Sequence, residues 1–434
     1  MQLLYANDSK GQYPDSWYAA TADFLPEFPA LDAKINADVC VVGAGYTGLS
    51  TALHLAEAGF DVVVLDAQRI GFGASGRNGG QLGSGQRQDQ DKLEQMVGKA
   101  DARKLWDMGE EAKDLVKALV AKHQIDCYLK PGIAWTGFAT SETTELHAYV
   151  EKMQRDYGYD QIRPLSPEET QEICPSPAYH GGLLDLGAGH LHPLRYVLGL
   201  ARAAQAAGVR FFERSHVKKV KEGSKPEVHT ERGMVRCDHV VLAGNGYLEG
   251  VNRKVASKVM PINNFVAATE PLGARTKEVL TQDIAVCDSK FVVNYFRLSH
   301  DGRLLFGGGE SYGYRFPTDI AAKVRKPMLE IFPQLRDVKI DYAWGGTLGI
   351  TVKRLPFVAR VGQNVLSSSG YSGHGVGTAT HCGQLMAKAI EGDASGFDTM
   401  AALPALPFPG GPALRSPMLV LAMSWFAMRD RLGI

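Results

Sequence analysis

The chain has 434 residues with 47 basic and 47 acidic side chains, so its formal net charge is zero. This length predicts two or three domains and enough apolar material for a core. Because no long run of either charge occurs, nucleic acid and anionic membrane surfaces are poor candidates as partners.

The first residues lack a basic segment followed by an apolar run, so we expect no signal peptide. No apolar run approaches the roughly 20 residues that a membrane span needs. The six cysteines are scattered and form no Cys-x-x-Cys pair, which favours buried, reduced thiols over disulfides or zinc. We therefore expect a cytoplasmic protein with no membrane partner. Residues 1–36, with three prolines, are predicted to form an arm on the surface.

Residues 37–66 are typical of a strand, a glycine turn, a helix and a second strand. Gly43 allows the tight turn, Gly45 lets a pyrophosphate approach the backbone, and Gly48 lets the helix pack on the strand. Asp66 ends the second strand, about 20 residues further on, where a carboxylate can bind a ribose diol. The pattern predicts a dinucleotide site. The alternative is a plain βαβ unit with a chance glycine turn.

Residues 69–82 are rich in glycine, which allows backbone to lie against a flat ligand. Ser75, Arg77 and Asn78 add polar groups, so we favour a ligand-binding loop over a flexible one. Residues 89–123 have the spacing of an amphipathic helix.

The middle of the chain offers a possible metal pair and a further strand. His190 and His192 lack a third ligand nearby, so the start of a helix explains them better than a metal, and we expect no metal site. Residues 216–220 are predicted to be a strand. Residues 238–246 are predicted to be a third parallel strand that returns to the first. The alternation at 291–298 predicts a sheet with one face on a cavity.

A second strand–glycine–helix unit occupies residues 365–390. Its turn, from Gly370 to Gly377, precedes a helix whose N–H groups would point at something flat or anionic. The tail at 401–434 includes an apolar helix predicted from Met418 to Met428, too short to span a membrane.

These motifs, in this order, resemble the D-amino acid oxidase superfamily of flavoproteins, and the resemblance covers nearly the whole chain. It implies an α/β fold, in which an FAD-binding, Rossmann-type doubly wound domain is interrupted by a discontinuous second domain on a mixed, mainly antiparallel sheet. The implied division is an N-terminal arm at 1–36, an FAD-binding domain at 37–88, 188–250 and 340–400, a substrate domain at 89–187 and 251–339, and a C-terminal tail helix at 401–434.

The resemblance also implies noncovalent FAD and oxidative deamination of a primary amine. The expected substrate is gamma-glutamylputrescine, and the expected products are the aldehyde, ammonia and hydrogen peroxide. Oxygen or another acceptor would take the electrons, and the chain would act as a monomer or homodimer. Because a neutral amine releases hydride readily, no strong base is required. His374 is the candidate catalytic side chain.

The resemblance assigns site residues position by position. The cofactor contacts are Gly43, Ala44, Gly45, Tyr46, Thr47, Gly48, Asp66, Ala67, Gly73, Ala74, Ser75, Arg77, Asn78, Gly79, Gly80, Gln81, Leu82, Val217, Gly244, Gly373, His374, Gly375 and Val376. Apart from the resemblance, our candidates for substrate contacts are Tyr295, Arg297, Glu270 and Trp344. Arg297 has two equal alternatives: its guanidinium binds a substrate carboxylate through two N–H groups, or it forms a structural ion pair within the protein.

Two departures from relatives matter. Arg77 and Gly345-Gly346 stand where relatives attach FAD through histidine or cysteine, which is the reason for expecting noncovalent FAD. Leu305 stands where monomeric sarcosine oxidase has an oxygen-activating lysine, so a D-amino acid or sarcosine-type dehydrogenase stays an alternative. Two further alternatives are a non-catalytic flavin-binding protein and an NAD-dependent dehydrogenase. The second glycine turn argues against the last.

Overall fold

The computed structural model describes residues 3–409 except 249, 291 and 312. The tail helix predicted at 418–428 lies outside the described residues. Among the described residues, no helix is long and apolar enough to cross a membrane.

The strands follow one another along the whole described chain. They are β1 (Lys34–Asn36), β2 (Val39–Val42), β3 (Val62–Leu65), β4 (Gln81–Leu82), β5 (Lys130–Gly137), β6 (Ile162–Leu165), β7 (Gly181–His190), β8 (Arg210–Phe212), β9 (Lys219–Lys221), β10 (Glu227–His229), β11 (Met234–Arg236), β12 (His239–Leu242), β13 (Met260–Thr269), β14 (Ala285–Asp288), β15 (Tyr295–Leu298), β16 (Leu304–Ser311), β17 (Ile340–Ile350), β18 (Phe357–Gly362) and β19 (Val365–Ser369).

The helices are interspersed with these strands. They are α1 (Trp17–Ala20), α2 (Tyr46–Glu57), α3 (Gln90–Val97), α4 (Lys99–Lys122), α5 (Thr140–Tyr157), α6 (Pro167–Ile173), α7 (Pro193–Ala206), α8 (Arg253–Lys258), α9 (Ile320–Ile331), α10 (Gly375–Glu391) and α11 (Ser395–Ala401).

A six-stranded sheet in the order β18-β19-β12-β2-β3-β8 carries the nucleotide motif. Its neighbours are parallel except for β18 with β19. The parallel pairing of β12 with β2 confirms the predicted return strand. Both faces of β2 and β3 are buried: one packs in a cluster with α2, and the other packs in a cluster with Val228 of β10 and Val235 of β11.

A nine-stranded sheet runs in the order β17-β13-β16-β15-β14-β5-β7-β4, with β6 paired to β7. Most of its pairs are antiparallel and β14 with β5 is parallel, which confirms a mixed sheet. Strands β4 and β17 pair here although their residues fall within the ranges predicted for the FAD-binding domain. The domain boundaries otherwise stay a prediction.

One face of this sheet presents two adjacent rows of cross-strand neighbours, because residues two apart on a strand share a face. The rows are Asp185, Ile133, Ala285 and Arg297, and Leu183, Trp135, Cys287 and Tyr295. All of these residues except Ala285 and Arg297 line the cavity described below.

Two predicted elements differ from the structure. The helix predicted at 89–123 is divided into α3 and α4 at Gly98, whose φ of 81° is a left-handed conformation that suits glycine. The strand predicted at 216–220 begins only at Lys219, and His216 and Val217 before it line the cavity. Strand β9 then joins a small separate sheet in the order β1-β11-β10-β9.

Candidate active site

The first glycine turn leaves β2 and begins α2. Gly43 has a φ of 110°, and a Cβ there would lie 2.8 Å from the Ala243 carbonyl oxygen. A Cβ on Gly48 would lie 1.9 Å from the Gly43 oxygen, so the start of the helix packs directly on the turn. Gly45 is the N-cap of α2 and offers no side-chain acceptor to the helix N–H groups. The turn therefore presents bare backbone and the positive end of a helix.

Asp66 joins the ends of the first two parallel strands. One carboxylate oxygen accepts the Ala44 N–H at 2.7 Å and the other accepts the Gln68 N–H at 2.8 Å. Burial raises the pKa of Asp66 to about 6, although these two hydrogen bonds oppose the rise. The carboxylate is thus held at the edge of the cavity in a fixed orientation.

The second glycine loop is fixed by its own polar side chains. Asn78 accepts the Gly80 N–H at 2.8 Å and donates to the Ala74 carbonyl at 2.9 Å. Ser75 Oγ accepts the Tyr46 N–H at 3.0 Å, which ties this loop to the first turn. These bonds order the loop, and that it binds a ligand stays a prediction.

Arg77 is buried under this loop. Its Nε donates to the Phe72 carbonyl at 2.7 Å, and its Nη1 binds the Asp8 carboxylate at 3.0 Å and the Gly345 carbonyl at 3.1 Å. Its Nη2 is buried and has no hydrogen-bond partner among the described residues. Since Arg77 lines the cavity, this N–H group marks a place where a ligand acceptor would fit.

The second turn, residues 370–375, connects β19 to α10. Gly370 and Gly373 have φ values of 80° and 90°. Tyr371 Oη lies 2.6 Å from Thr47 Oγ1 in the first turn. A Cβ on Gly383 would lie 2.5 Å from the Thr47 oxygen, so α10 packs closely on α2. The two turns are therefore neighbours whose helices start side by side.

Both turns line one cavity of about 1330 Å³. Val217 and Gly244, two further predicted cofactor contacts, also line this cavity. All predicted cofactor contacts line this cavity except Gly48, Gly80 and Leu82, which lie behind its wall.

His374 is the N-cap of α10 and lines the cavity. Its Nε2 carries a proton, since it lies 3.1 Å from the Gly85 carbonyl, which can only accept. Burial, and then the nearby Arg87 charge, lower the pKa of His374 to about 4. The ring is therefore neutral near pH 7 and supports the Gly85 backbone.

The four predicted substrate contacts separate into two groups. Tyr295 lines the cavity and donates to Asn264 Oδ1 at 2.5 Å. Arg297, Glu270 and Trp344 do not line it. The structure thus brings one of the four to the cavity.

Each of the other three is used by the protein itself. Arg297 donates to the Gly79 carbonyl at 3.0 Å and to Tyr18 Oη at 3.3 Å. Trp344 donates to the Arg77 carbonyl at 3.0 Å. Glu270, which directly follows the last residue of β13, accepts the Lys339 N–H at 3.0 Å. The Arg297 guanidinium is thus bound to protein groups, which are backbone carbonyls and a phenol rather than an acidic side chain.

Sequence reasoning missed Arg87, which follows the second glycine loop. It lines the cavity, and its one hydrogen bond among the described residues is from Nε to the Ser372 carbonyl at 3.2 Å. Its terminal N–H groups therefore remain available to a ligand. Gly83 and Gly85 extend the glycine pattern toward Arg87 and were the available signal.

A distal wall, defined as Trp135, Tyr149, Tyr159 and Asp185, was also missed. All four residues line the cavity beyond the turns. Asp185 is the only charged residue of β7, in an otherwise apolar and glycine-rich strand. A lone acid in a buried strand was the signal, because such charges are rarely buried without a role.

His190 and His192 have local structural roles. His192 is the N-cap of α7, and its Nδ1 accepts the Arg195 N–H at 3.2 Å, which confirms the helix start. His190 donates to the Asp283 carbonyl at 3.2 Å. Within the described part of the chain, no group of three or more His, Cys, Asp or Glu side chains could hold a metal ion.

Comparison with known proteins gives matches over most of the chain. Residues 38–389 match the family model described as DAO, FAD dependent oxidoreductase. Gamma-glutamylputrescine oxidoreductase of Escherichia coli is 42% identical over 98% of this chain and 100% of that protein. Probable oxidoreductase OrdL of Rhizobium meliloti is 44% identical over 96% of this chain and 97% of that protein.

Solved structures agree on the fold. Glycine oxidase from Geobacillus kaustophilus superposes with a TM-score of 0.70 at 20% identity, covering 84% of this chain and 98% of that one. L-amino acid deaminase from Proteus myxofaciens gives a TM-score of 0.68 at 18% identity, covering 90% and 98%. At these identities, the likeness is evidence for the fold alone.

Proposed function

This chain belongs to the FAD-dependent oxidoreductase (DAO) family, and from that premise we propose that it oxidises gamma-glutamylputrescine at its primary amine. Oxygen and water would be consumed, and gamma-glutamylaminobutyraldehyde, ammonia and hydrogen peroxide would be formed. FAD-dependent amine oxidation follows from the family and its relatives, whereas this substrate and these products are our proposal.

The observation that carries the proposal is the continuity of the cavity. It extends from the first turn, past the second turn, to the distal wall of aromatic and acidic side chains. A coenzyme and an elongated cationic amine would thus share one space. The relative of the same length that is named for gamma-glutamylputrescine supports this substrate above other amines.

The residues present fit FAD. His374, the N-cap of α10, forms no side-chain cap, so the start of that helix is open to acceptor groups of a ligand. At α2 the N-cap Gly45 forms none either, but Ser75 Oγ already accepts the Tyr46 N–H. The unpartnered Nη2 of Arg77 is a further donor on the same cavity. We propose that the first turn and Ser75 hold the pyrophosphate, that Asp66 holds the ribose, and that the start of α10 meets the pyrimidine edge of the flavin.

When bound, FAD would supply the acceptor for a hydride from the carbon beside the amine nitrogen, and water would hydrolyse the resulting imine. The chain has to position the amine and favour its neutral form. Tyr295, Cys287 and Ile133 supply a largely apolar wall that disfavours a charged amine. His374 has its ring proton bound to Gly85 and holds that backbone in place, which is a positioning role.

We propose Arg87 rather than Arg297 for the substrate carboxylate. Its terminal N–H groups are available on the cavity wall, whereas those of Arg297 bind the protein's own groups. A guanidinium fork matches a carboxylate in geometry and charge.

The test is to add candidate amines to the purified holoenzyme without oxygen and to measure its reduction as a loss of flavin absorbance. We expect gamma-glutamylputrescine to bleach the flavin at far lower concentration than glycine, sarcosine or L-proline, and to yield ammonia and peroxide in equal amounts in air. Bleaching by an amino acid in preference would contradict the proposed substrate.

A dehydrogenase is a second candidate, favoured by one observation. Leu305, which stands where a relative has an oxygen-activating lysine, is buried and apolar. Reduced enzyme that reoxidises with an artificial acceptor far faster than with oxygen would favour this alternative.

We further propose that FAD is bound noncovalently. Arg77 is held by Asp8, Phe72 and Gly345, and an arginine offers no nucleophile for flavin attachment. All six cysteines are free and buried. Acid precipitation should leave the flavin in the supernatant, whereas flavin in the pellet would contradict the proposal.

A further inference from the structure

The feature of interest is the Asp185 carboxylate in the distal wall. Its Oδ1 accepts three hydrogen bonds, from Tyr159 Oη at 2.5 Å and from the N–H groups of Gly187 and Ala188 at 3.0 Å each. Its Oδ2 accepts none among the described residues, although Asp185 is only 5% exposed and lines the cavity. One oxygen is thus fixed by the protein, and the other is left to a ligand.

A buried network stands behind this carboxylate. Lys113 Nζ donates to Ser84 Oγ at 2.8 Å, to Glu110 Oε2 at 2.6 Å and to Tyr159 Oη at 3.1 Å. Burial, followed by the Asp185 charge, raises the pKa of Tyr159, so the phenol keeps its proton and donates it to Asp185. All three protons of Lys113 are used, and none of them reaches Asp185 Oδ2.

The surroundings of Oδ2 suit a cation. Ile133 is the cross-strand neighbour of Asp185, and Trp135 lies two residues further on the same face. Tyr149, which also lines the cavity, is close enough for the Asp185 charge to contribute to the raised pKa of its phenol. A carboxylate among aromatic faces is the usual chemistry of an ammonium site.

The Lys and Arg side chains of α5 that line the cavity are already paired. Lys152 binds Asp91 and Glu94, and Arg155 binds Asp156. Lys117 donates to the Gly187 carbonyl rather than to Asp185. The buried Asp185 charge therefore lacks a direct cationic partner among the described residues, and a buried charge without one is costly.

The position along β7 indicates which ammonium would bind. Gln81, a predicted coenzyme contact, pairs with His190, and Asp185 lies five residues earlier on that strand. At 3.3 Å per residue this separation is about 16 Å. The two amino nitrogens of extended gamma-glutamylputrescine are ten bonds apart, or roughly 12 Å. The substrate is about 4 Å shorter than this backbone separation, a gap that the side chains of Gln81 and Asp185 are long enough to bridge. A substrate oxidised near Gln81 can thus reach the Asp185 carboxylate with its other end.

We propose that Asp185, beside Trp135 and Tyr149, binds the second ammonium group of an extended amine substrate, at the end remote from the oxidised amine. The inference rests on the proposed function, which it deepens: the enzyme selects amines that carry a second positive group. Tyr159 is a positioning residue that fixes Oδ1, and Lys113 holds Tyr159.

The test compares two amides of putrescine in the holoenzyme, gamma-glutamylputrescine and glutarylputrescine, which lacks only the α-ammonium group. Asp185→Asn keeps the Oδ1 acceptor and removes the charge. Asp114→Asn is the control, because Asp114 is an exposed acid on α4 that does not line the cavity. The measured quantity is the ratio of kcat/KM for the two amides.

We expect the wild-type protein and Asp114→Asn to prefer gamma-glutamylputrescine. In Asp185→Asn the ratio of kcat/KM for the two amides should fall at least tenfold. An unchanged ratio in Asp185→Asn would overturn the proposal. If that variant does not fold, the wild-type ratio decides, because no preference for the ammonium-bearing amide would also overturn it.

Binding without turnover separates this inference from the proposed function. Tetramethylammonium, which is not a primary amine, is titrated calorimetrically into the holoenzyme, with uncharged tert-butanol as its control. Asp185→Asn should weaken the binding of tetramethylammonium at least tenfold and leave the binding of tert-butanol unchanged. Equal affinity of the wild type and Asp185→Asn for tetramethylammonium would overturn the subsite. If neither amide reduces the wild-type flavin, the proposed function fails, and the titration still decides the subsite.

Discussion

At the first turn the cavity is built from backbone, whereas at the distal wall it is built from side chains. Gly43, Gly45 and Gly48 act by having no side chain, and their spacing within one short segment determines the geometry. The distal wall instead combines a helix residue, a loop residue and residues of two strands. A site made of backbone is local in sequence, and a site made of side chains depends on tertiary pairing.

The largest effect should come from filling the first turn. A Cβ on Gly48 would lie 1.9 Å from a backbone oxygen, so Gly48→Ala must displace either α2 or the turn. We expect loss of most bound flavin and a stability cost of about 3 kcal/mol. Absorbance of the purified protein gives the flavin content, and denaturant unfolding gives the stability.

Gly223→Ala is the matched control, because a Cβ there meets nothing within 4 Å. It should keep full flavin content. Equal flavin content in both variants would mean that the first turn does not depend on close packing.

His374 makes the second turn sensitive to acid. Its pKa in the folded chain is about 4, below the unfolded value near 6.5, so its contribution is fully present above pH 6.5 and is lost as the pH falls toward 4. Between these values the free energy of unfolding should fall by up to about 3 kcal/mol more in the wild type than in His374→Gln. Urea unfolding at a series of pH values measures this difference. Parallel pH curves would contradict it.

Arg87 and Arg297 form a matched pair that separates substrate binding from support. Arg87→Gln should raise the KM about tenfold, or 1.4 kcal/mol, with little change in thermal midpoint. Arg297→Gln should lower the thermal midpoint, since Gly79 and Tyr18 lose their donor, and should leave the KM of the remaining holoenzyme nearly unchanged. The reverse result would restore Arg297 as the carboxylate clamp.

The smallest effect should come from the hydroxyl that joins the two turns. Tyr371→Phe removes its bonds to Thr47 and Ser368, together worth about 1 kcal/mol. Tyr128→Phe is the control, since its hydroxyl has no hydrogen bond among the described residues and its ring stacks on His300 at 4.1 Å. Thermal unfolding and FAD titration should distinguish the two variants. Equal results would mean that this bond does not couple the turns.

The same contrast explains how much could be predicted from the sequence. The spacing of Gly43, Gly45, Gly48 and Asp66 specifies strand, turn and helix, so this part of the fold was predictable. The second turn was predictable for the same reason. The return strand β12 was predictable because a buried parallel strand has a continuous apolar sequence.

Side-chain partners were not predictable in this way. Arg297 lies on the expected sheet face, but the sequence does not indicate that Gly79 and Tyr18 occupy its guanidinium. Asp185 is brought to the cavity by pairing of β7 with β5, which lies about 50 residues earlier in the chain. Such contacts depend on strand register, and register is set by the whole sheet.

The most direct test of the central claim is a crystal structure of the holoenzyme. We predict one FAD molecule in the cavity, with its pyrophosphate at the first turn, beside Gly45 and Ser75, and its pyrimidine edge at the start of α10, near Gly375 and Val376. An FAD molecule that contacts only one of the two turns would contradict the claim.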